Sequence, residues 1–576
     1  MLRRLLLGLL PLAALAQPPY LNLSFETNSR GFPWGWGSSS PGYEAAADAG
    51  TAHAGNQSLR IRWVNAPATT FADVYQRLPP ELFRGKRLRF TCYIKSQGIT
   101  RGTAKTWLRA DGAAGVLSID NSEGPAGDSG WTAYAIDRFI SPDATNIYFG
   151  MLLTGDGTGW FDDVQLEVDG VPFQPGPAPL LDLGDTQRDW LKQALNQFFT
   201  EMPGGDLNDL WPVKGMVADA HVVGLGEGTH GSAEFFRMKH RLLQYLVTEM
   251  GFSVFAIEAN MPEAYAVNDY VLYGRGDPKQ LLRGMYFWTW NTQEVLDMIQ
   301  WMRQYNASGQ GTVQFTGFDM QTGTVAMETA RSFVQKADPD YLATLNAAYA
   351  QAAPLLKAYS TDTRAVTAAA EQAVAVREHL EANRDLYLGS YSPAEIDWAI
   401  QNARVLEQSV WYLIRGTSFR DLCMAANMDW ILAQNPGEKA VVWAHDYHVS
   451  RQGGARGSYL ASTHGGDYLP VGQVFHAGRY NAVTSTTNGV LRANDAVPSF
   501  PGSVEYALHS TGEPRLILDL RKASPDDPAS SWLLGEIEWR SIGAVVNDGF
   551  GVTPDLRQLF DILIFFDQVT PSVLLP

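Results

Sequence analysis

The chain has 576 residues, of which 45% are hydrophobic and 11% aromatic, so it can fill more than one hydrophobic core. Its formal net charge of -17 argues against nucleic acids and anionic membrane surfaces as partners, because both attract positively charged proteins. The two cysteines, Cys92 and Cys423, fall in different predicted domains, which favours two buried free thiols over a disulfide.

The first 16 residues have the pattern of a signal peptide. Arg3 and Arg4 form a short basic region, residues 5–15 are apolar, and Ala14-Leu15-Ala16 is a small-residue cleavage sequence. The apolar run is too short to cross a bilayer, and no later segment offers the roughly 20 consecutive apolar residues of a spanning helix. We therefore expect an exported protein, periplasmic or secreted, with no transmembrane segment.

Residues 17–170 contain short alternating runs of apolar and polar residues separated by turn residues, which predicts an all-β jelly-roll sandwich. Asn22-Leu23-Ser24-Phe25-Glu26, Pro33-Trp34-Gly35-Trp36 and residues 159–167 resemble the galactose-binding-like jelly rolls that include many carbohydrate-binding modules. The resemblance implies a glycan partner, stacked on aromatic residues such as Trp34, Trp36 or Trp107 unless these pack in the core. It also implies a structural calcium ion held by Glu26 and Asp163, which are otherwise solvated or capping carboxylates.

A Pro-rich linker at residues 171–182 separates this sandwich from the rest of the chain. In residues 183–576, predicted strands alternate with long helices, which indicates an α/β domain with a largely parallel central sheet. A helical insertion at about 324–434 interrupts this alternation.

Several of the predicted strands of this domain end in ionisable residues. Strands at 221–225, 253–257, 313–318 and 440–444 each run into acidic or imidazole side chains. These side chains are Glu227, His230, Glu258, Asp319, His445 and His448. Because the carboxyl ends of parallel strands meet at one edge of a sheet, the pattern predicts a single site.

The same residues lie in motifs that resemble the erythromycin esterase family. In chain order these motifs are residues 225–231, 235–241, 255–259, 267–271, 287–292, 318–321 and 445–448, and the resemblance runs from about residue 185 to 568. It implies that water opens a macrolactone ester, the chemistry of macrolide antibiotic resistance, although many members act on other substrates. It also implies that the helical insertion forms one wall of a deep cleft. Asp446 stands where the family more usually has Asn.

Ester hydrolysis assigns roles to these side chains. Water needs a general base, for which we choose His230, and a carboxylate, Glu227 or Glu258, to orient the imidazole ring. His445 and His448 are expected to donate to the oxyanion or to protonate the leaving alkoxide. The backbone amides at 231–233 are further oxyanion donors. Arg237 is expected to hold a carboxylate or the developing charge, and Trp288 to line the pocket wall or the core. Asp319 is expected either to contact the substrate or oxyanion or to be the structural partner of a site arginine or of the backbone.

Two other interpretations stay open. One is a metal site in which zinc or manganese activates the water. Its nitrogen and oxygen ligands would come from Glu227, His230, Glu258, His445 and His448. The preferred mechanism needs no cofactor. A carbohydrate-binding envelope protein without catalysis is favoured if these residues do not converge in space. The expected partner in either enzymatic interpretation is a small-molecule ester.

Overall fold

A computed structural model describes residues 18–65, 67, 70–113, 115–485, 489–547, 549–553 and 555–576. The predicted signal peptide lies outside the described residues. The chain divides into two compact units, one of Met1–Leu181 with Phe500–Gly502 and one of Asp182–Ser499 with Ser503–Pro576. Both cysteines are free and buried, as predicted. In the part of the chain that is described, no helix is long and apolar enough to cross a membrane.

The first unit is an antiparallel β-sandwich, which confirms the predicted jelly roll. Its elements are β1 (Asn28–Ser29), β2 (Phe32–Pro33), β3 (Gly37–Ser39), β4 (Tyr43–Asp48), β5 (Ser58–Trp63), β6 (Phe71–Leu78), α1 (Pro80–Phe83), β7 (Arg87–Ile99), β8 (Ala104–Gly112), β9 (Gly115–Asn121), β10 (Gly127–Phe139), β11 (Asn146–Thr154), β12 (Thr158–Val168) and β13 (Val171–Pro172). One sheet has the order β3-β6-β11-β8-β9, and the other has the order β10-β7-β12-β5-β4 with β13 beside β12.

The alternation of apolar residues along these strands explains the sandwich. Val74 on β6 and Phe149 on β11 pack in the same buried cluster as Phe90 on β7 and Phe161 on β12. Because successive side chains of a strand point to opposite faces, one face of each sheet buries this cluster and the other face is left for polar and aromatic residues.

The second unit is built on a sheet of the strands β14 (Leu195–Gln197), β15 (Val222–Leu225), β16 (Phe252–Asn260), β17 (Gln314–Asp319), β18 (Lys439–Trp443), β19 (Tyr468–Val483), β20 (Leu491–Asp495), β21 (Arg515–Asp519) and β24 (Ile562–Val569), with a separate pair β22 (Ile537–Arg540) and β23 (Phe550–Thr553). The sheet order is β14-β21-β24-β19-β15-β18-β16-β17, with β20 beside β19. All neighbours from β24 to β17 are parallel. The prediction of a largely parallel sheet is confirmed.

Helices cover both faces of this sheet. They are α2 (Asp185–Ala194), α3 (Trp211–Val217), α4 (Ala233–Met250), α5 (Met261–Tyr273), α6 (Pro278–Gly284), α7 (Gln293–Ser308), α8 (Thr324–Ala337), α9 (Leu342–Ala358), α10 (Thr363–Ala382), α11 (Arg384–Tyr387), α12 (Pro393–Gln434), α13 (Asp446–Val449), α14 (Arg456–His464) and α15 (Val504–His509). On β18, Val441 and Trp443 pack with α4 and α7, whereas Ala440 and Val442 pack with α8 to α12. The sequence of a strand that is buried on both faces is a nearly continuous run of apolar residues, as in residues 440–444.

The predicted helical insertion is present as α8 to α12. Its longest helix, α12, is interrupted at Gly416, whose φ of 71° and ψ of -164° suit glycine alone. Beyond this kink, α12 buries a stripe that includes Arg420, Met424, Asn427 and Met428. The kink therefore directs the Arg420 guanidinium and the Asn427 side-chain amide toward the carboxyl ends of the sheet strands.

Candidate active site

Two loops at the carboxyl ends of β15 and β18 meet in the centre of the sheet. A Cβ atom at Gly226 would lie 2.0 Å from Asp446 Oδ1, so only glycine allows this approach of the two loops. The Asp446 amide donates to the Glu227 carbonyl at 3.0 Å. Ser232 then caps α4, as its sequence position predicts. These contacts hold Glu227 and His230 beside the second loop.

Glu227 is completely buried and binds three donors. Its Oε1 lies 2.7 Å from His230 Nδ1, and its Oε2 accepts from Lys239 Nζ at 2.7 Å and from Trp443 Nε1 at 2.8 Å. The carboxylate thereby places the proton of a neutral His230 on Nδ1. This is the orienting contact that the sequence left open between Glu227 and Glu258.

Lys239 is a site residue that the sequence analysis missed. Its ammonium is buried between Glu227 and the carbonyl of Ala444, 4.5 Å from the centre of the Trp443 ring. Burial lowers the pKa of Lys239 to about 8, against the opposing effect of the Glu227 charge. A signal was present, because Lys239 lies on the apolar stripe of α4, at helical spacing from Phe235 and Leu242.

Arg420 is the second missed residue, and it links three of the predicted ones. Its guanidinium donates to both oxygens of Asp319, at 3.0 and 2.7 Å, and to Glu258 Oε1 at 2.7 Å. Its Nη1 lies 3.1 Å from His448 Nε2. Burial alone would raise the pKa of Glu258, but the charges of His448 and Arg420 hold it well below its usual range. Arg420 occupies the apolar stripe of α12, which is the pattern that could have revealed it.

Other groups of the protein bind both ring nitrogens of His445 and both ring nitrogens of His448. His445 Nε2 lies 2.9 Å from the carbonyl of Ile542, and its Nδ1 accepts from the Tyr447 amide at 3.1 Å. Burial, together with the neighbouring His230 and His448, holds the pKa of His445 well below its usual value. His448 Nδ1 lies 2.6 Å from Asp421 Oδ1, and its Nε2 faces Arg420. In this structure, therefore, neither ring has a free nitrogen for the expected contact with the oxyanion or the leaving alkoxide.

His230 differs from these two rings. Its Nδ1 binds Glu227, but the described part of the chain supplies no hydrogen-bond partner for Nε2. The ring is 12% exposed and lies edge-on to Trp290, with its centre 5.1 Å from that of His445. Of the three imidazoles at this site, His230 alone therefore presents a nitrogen to a reacting molecule.

Asp446 lies behind the first loop. It is fully buried, its Oδ1 accepts from the Gln473 amide at 3.2 Å, and its Oδ2 has no partner among the described residues. Burial raises the pKa of Asp446 well above its usual range.

Arg237 and Trp288 are the remaining predicted residues. Arg237 is 3.7 Å from Glu294 at the start of α7, and Trp288 is partly buried before that helix. Trp290, rather than Trp288, contacts His230. The expected amide donor at Ala233 is unavailable, because it donates to the carbonyl of Thr570 at 2.9 Å.

The candidate metal ligands are engaged with protein groups. In the second unit, Arg420 and Lys239 supply the positive charge beside Glu258 and Glu227. In the first unit, Glu26 accepts from the Asn56 and Gln57 amides, and Asp163 lies 3.6 Å from His53 Nδ1. No group of three or more His, Cys, Asp or Glu side chains is arranged to hold a metal ion anywhere in the described ranges.

The fold and the site define a class, namely α/β proteins with imidazole and carboxylate side chains clustered at the carboxyl edge of a mainly parallel sheet. The family model described as "Erythromycin esterase" matches residues 247–569, which is more than half of the chain. The chain therefore belongs to the erythromycin esterase family, a family of ester hydrolases.

Individual relatives agree with this assignment. Erythromycin esterase type II from Escherichia coli is 24% identical over 368 residues, which cover 56% of this chain and 86% of the relative. A solved structure from Bacillus cereus has a TM-score of 0.62 and 28% identity, and the match covers 68% of this chain and all of that one. An erythromycin esterase mutant in its open conformation has a TM-score of 0.53 and 16% identity, with 65% of this chain and 98% of that chain covered.

Proposed function

We propose that this protein hydrolyses a carboxylic ester with a water molecule that His230 activates. The observation that carries the proposal is the pairing of His230 Nδ1 with the buried Glu227 while Nε2 is left without a partner in the described residues. An imidazole held in this way can accept a proton at Nε2, and Glu227 stabilises the imidazolium that results.

The reaction follows from these positions. A water molecule bound to His230 Nε2 attacks the ester carbonyl carbon as its proton passes to Nε2, and a tetrahedral oxyanion forms. The imidazolium then returns this proton to the alkoxide as the carbon–oxygen bond breaks, which leaves an acid and an alcohol. Proton transfer of this kind contributes a factor of about 10² to 10⁴ in rate.

Lys239 and Arg420 support the two carboxylates of the site. The Lys239 ammonium and the Trp443 indole fix the Glu227 oxygen that faces away from His230. Four N–H groups of Arg420 are directed to Asp319, Glu258 and His448, so a fifth is left to stabilise the oxyanion. His445, with both nitrogens bound to backbone, orders the second loop.

The proposed substrates are carboxylic esters, macrolactones included. The assay uses a small activated ester together with a macrolide, because failure on the macrolide alone would test only the shape of the pocket. A periplasmic or secreted location remains our proposal, since it rests on the first 16 residues.

Removal of divalent metal ions separates the two mechanisms. Because the donor set is engaged with Arg420, Lys239 and backbone groups, dialysis against a chelator is expected to leave kcat/KM unchanged. The measurement compares dialysed protein with protein supplied with zinc or manganese. A loss of activity that either ion restores would support metal-assisted water instead.

We also propose that the first unit binds a glycan on the face of the sheet opposite its core. Gly150 lies between Tyr75 and Trp107 in register, and a Cβ atom there would lie 2.9 Å from Trp107 Nε1. Neither that indole nitrogen nor Asp73 Oδ1 has a partner within the described chain. Burial raises the pKa of Asp73 to about 6. Trp107 is itself only 9% exposed, whereas Trp34 and Trp36, the other candidates from the sequence, are 1% and 6% exposed, and Trp36 packs in the core cluster.

Replacement of Trp107 by alanine is expected to remove one site per chain from calorimetric titrations with neutral oligosaccharides, because the ring and its free N–H are lost together. The value of kcat/KM on a small ester should stay unchanged. Trp131→Ala, on the other sheet, is the matched control. Identical titrations of the Trp107→Ala variant and the unmodified protein would contradict a glycan site on this face.

A further inference from the structure

A cleft in the second unit lies beside β14, the strand at the edge of the sheet. It encloses about 500 Å³, within the range of small-ligand sites, and its lining includes residues of α2, β14, α3 and β21. None of the residues assigned to hydrolysis contributes to it. The cleft is thus separate from the site described above.

Aromatic side chains line this cleft and are open to solvent. Trp211 is 71% exposed and Phe199 is 80% exposed, the highest values for a tryptophan and a phenylalanine in the described chain. Both are in the lining. Large rings held at the surface in a concave site are costly to leave in water, and they are the groups on which flat apolar ligand faces stack.

Polar groups share the lining with these rings. The amide Nδ2 of Asn196 is buried there without a hydrogen-bond partner in the described residues. Lys192, Gln197 and Glu513 add an ammonium donor, an amide and a carboxylate. Asp209 is committed elsewhere, because its oxygens bind Arg241 and the Phe199 amide. A ligand in the cleft meets donors and an acceptor beside the rings.

The combination of aromatic rings and polar groups in this cleft indicates the class of ligand. A purely apolar ligand would bury the Asn196 amide, Lys192 and Glu513 without partners, which is costly. An anion would face the Glu513 and Asp209 carboxylates with Lys192 as its single cation in the lining. A sugar ring offers an apolar face for stacking and hydroxyl groups that both donate and accept. We propose that this cleft is a binding site for a neutral saccharide.

The cleft opens at the same edge of the sheet as the catalytic loops. Strand β14 is antiparallel to β21, which is antiparallel to β24, so its carboxyl end at Gln197 lies at the carboxyl edge of β15. Four strand spacings separate β14 from β15, a distance of about 19 Å. A saccharide bound at Trp211 is therefore near enough to anchor a larger molecule whose ester lies at His230.

The test uses the full chain and calorimetric titration with uncharged hexasaccharides, namely cellohexaose, xylohexaose and mannohexaose. It is carried out in the Trp107→Ala background, so that the proposed face of the first unit does not contribute. We expect at least one hexasaccharide to bind once per chain, and Trp211→Ala or Asn196→Leu to weaken that binding about tenfold or more. Tyr273→Ala, which removes an exposed ring far from the cleft, is the control and should bind unchanged.

Two outcomes would overturn the saccharide site. One is the absence of binding by all three hexasaccharides at millimolar concentration, and the other is binding that neither Trp211→Ala nor Asn196→Leu weakens. An unchanged midpoint of thermal unfolding in these variants shows that they are folded, and it keeps this test independent of the proposed hydrolysis. Tryptophan fluorescence gives a second measurement, because a sugar stacked on Trp211 should shift its emission to shorter wavelength.

Discussion

Replacement of His230 by alanine is expected to lower kcat/KM for ester substrates by a factor of about 10² to 10⁴, the range that general base catalysis contributes. The fold should be retained, because His230 lies in a loop and, within the described residues, its side chain forms one hydrogen bond, to Glu227. The measurement combines steady-state kinetics with thermal unfolding. His230→Gly should recover part of its activity with added imidazole, since a free ring can then occupy the space.

The matched control for this prediction is His221→Ala. His221 is half-exposed at the opposite end of β15, and it faces Asp467 at 3.4 Å. The His221→Ala variant should have the same kcat/KM and the same thermal unfolding as the unmodified protein. Full turnover in His230→Ala would show that the base is another group. If the unmodified protein hydrolysed none of the esters tested, the non-catalytic interpretation would gain support.

Replacement of Arg420 by methionine is expected to lower the free energy of unfolding by about 3 to 5 kcal/mol, because Glu258 and Asp319 would remain buried without their cation. The same change should greatly reduce kcat/KM, since Glu258 and His448 lose the group that positions them. Denaturant unfolding and steady-state kinetics measure the two effects. Arg420→Lys should recover part of the stability but little of the activity, because an ammonium cannot reproduce the fork of hydrogen bonds.

Arg384→Met is the control for Arg420. Arg384 pairs with Asp397 in the helical insertion, but its side chain is 37% exposed, so its loss should leave the free energy of unfolding almost unchanged. Arg420→Met combined with Asp319→Asn should cost less than the sum of the two single changes, because both belong to one network. An Arg420→Met variant with unchanged stability and kinetics would contradict the role given to this residue.

The sequence by itself predicted the strands and the residues that follow them. Apolar runs of five or six residues, such as 440–444, have the length and composition of strands buried on both faces, and glycines and capping residues mark the loops after them. The predicted helices of the insertion agree closely with α8 to α12 for the same reason, because their apolar residues recur at helical spacing. Local patterns of this kind depend on neighbours along the chain.

Only the tertiary structure decided which groups share a hydrogen bond. Arg420 lies 162 residues from Glu258 and 101 from Asp319, and no local pattern links a residue of a long helix to two strand ends so far away. Likewise, the sequence does not show which of the three histidines has a free ring nitrogen. In the structure, Ile542, Tyr447 and Asp421 bind nitrogens of His445 and His448. The availability of an imidazole nitrogen depends on packing between distant segments, so the proposal that His230 is the base, already made from the sequence, gains its structural support only in the folded chain.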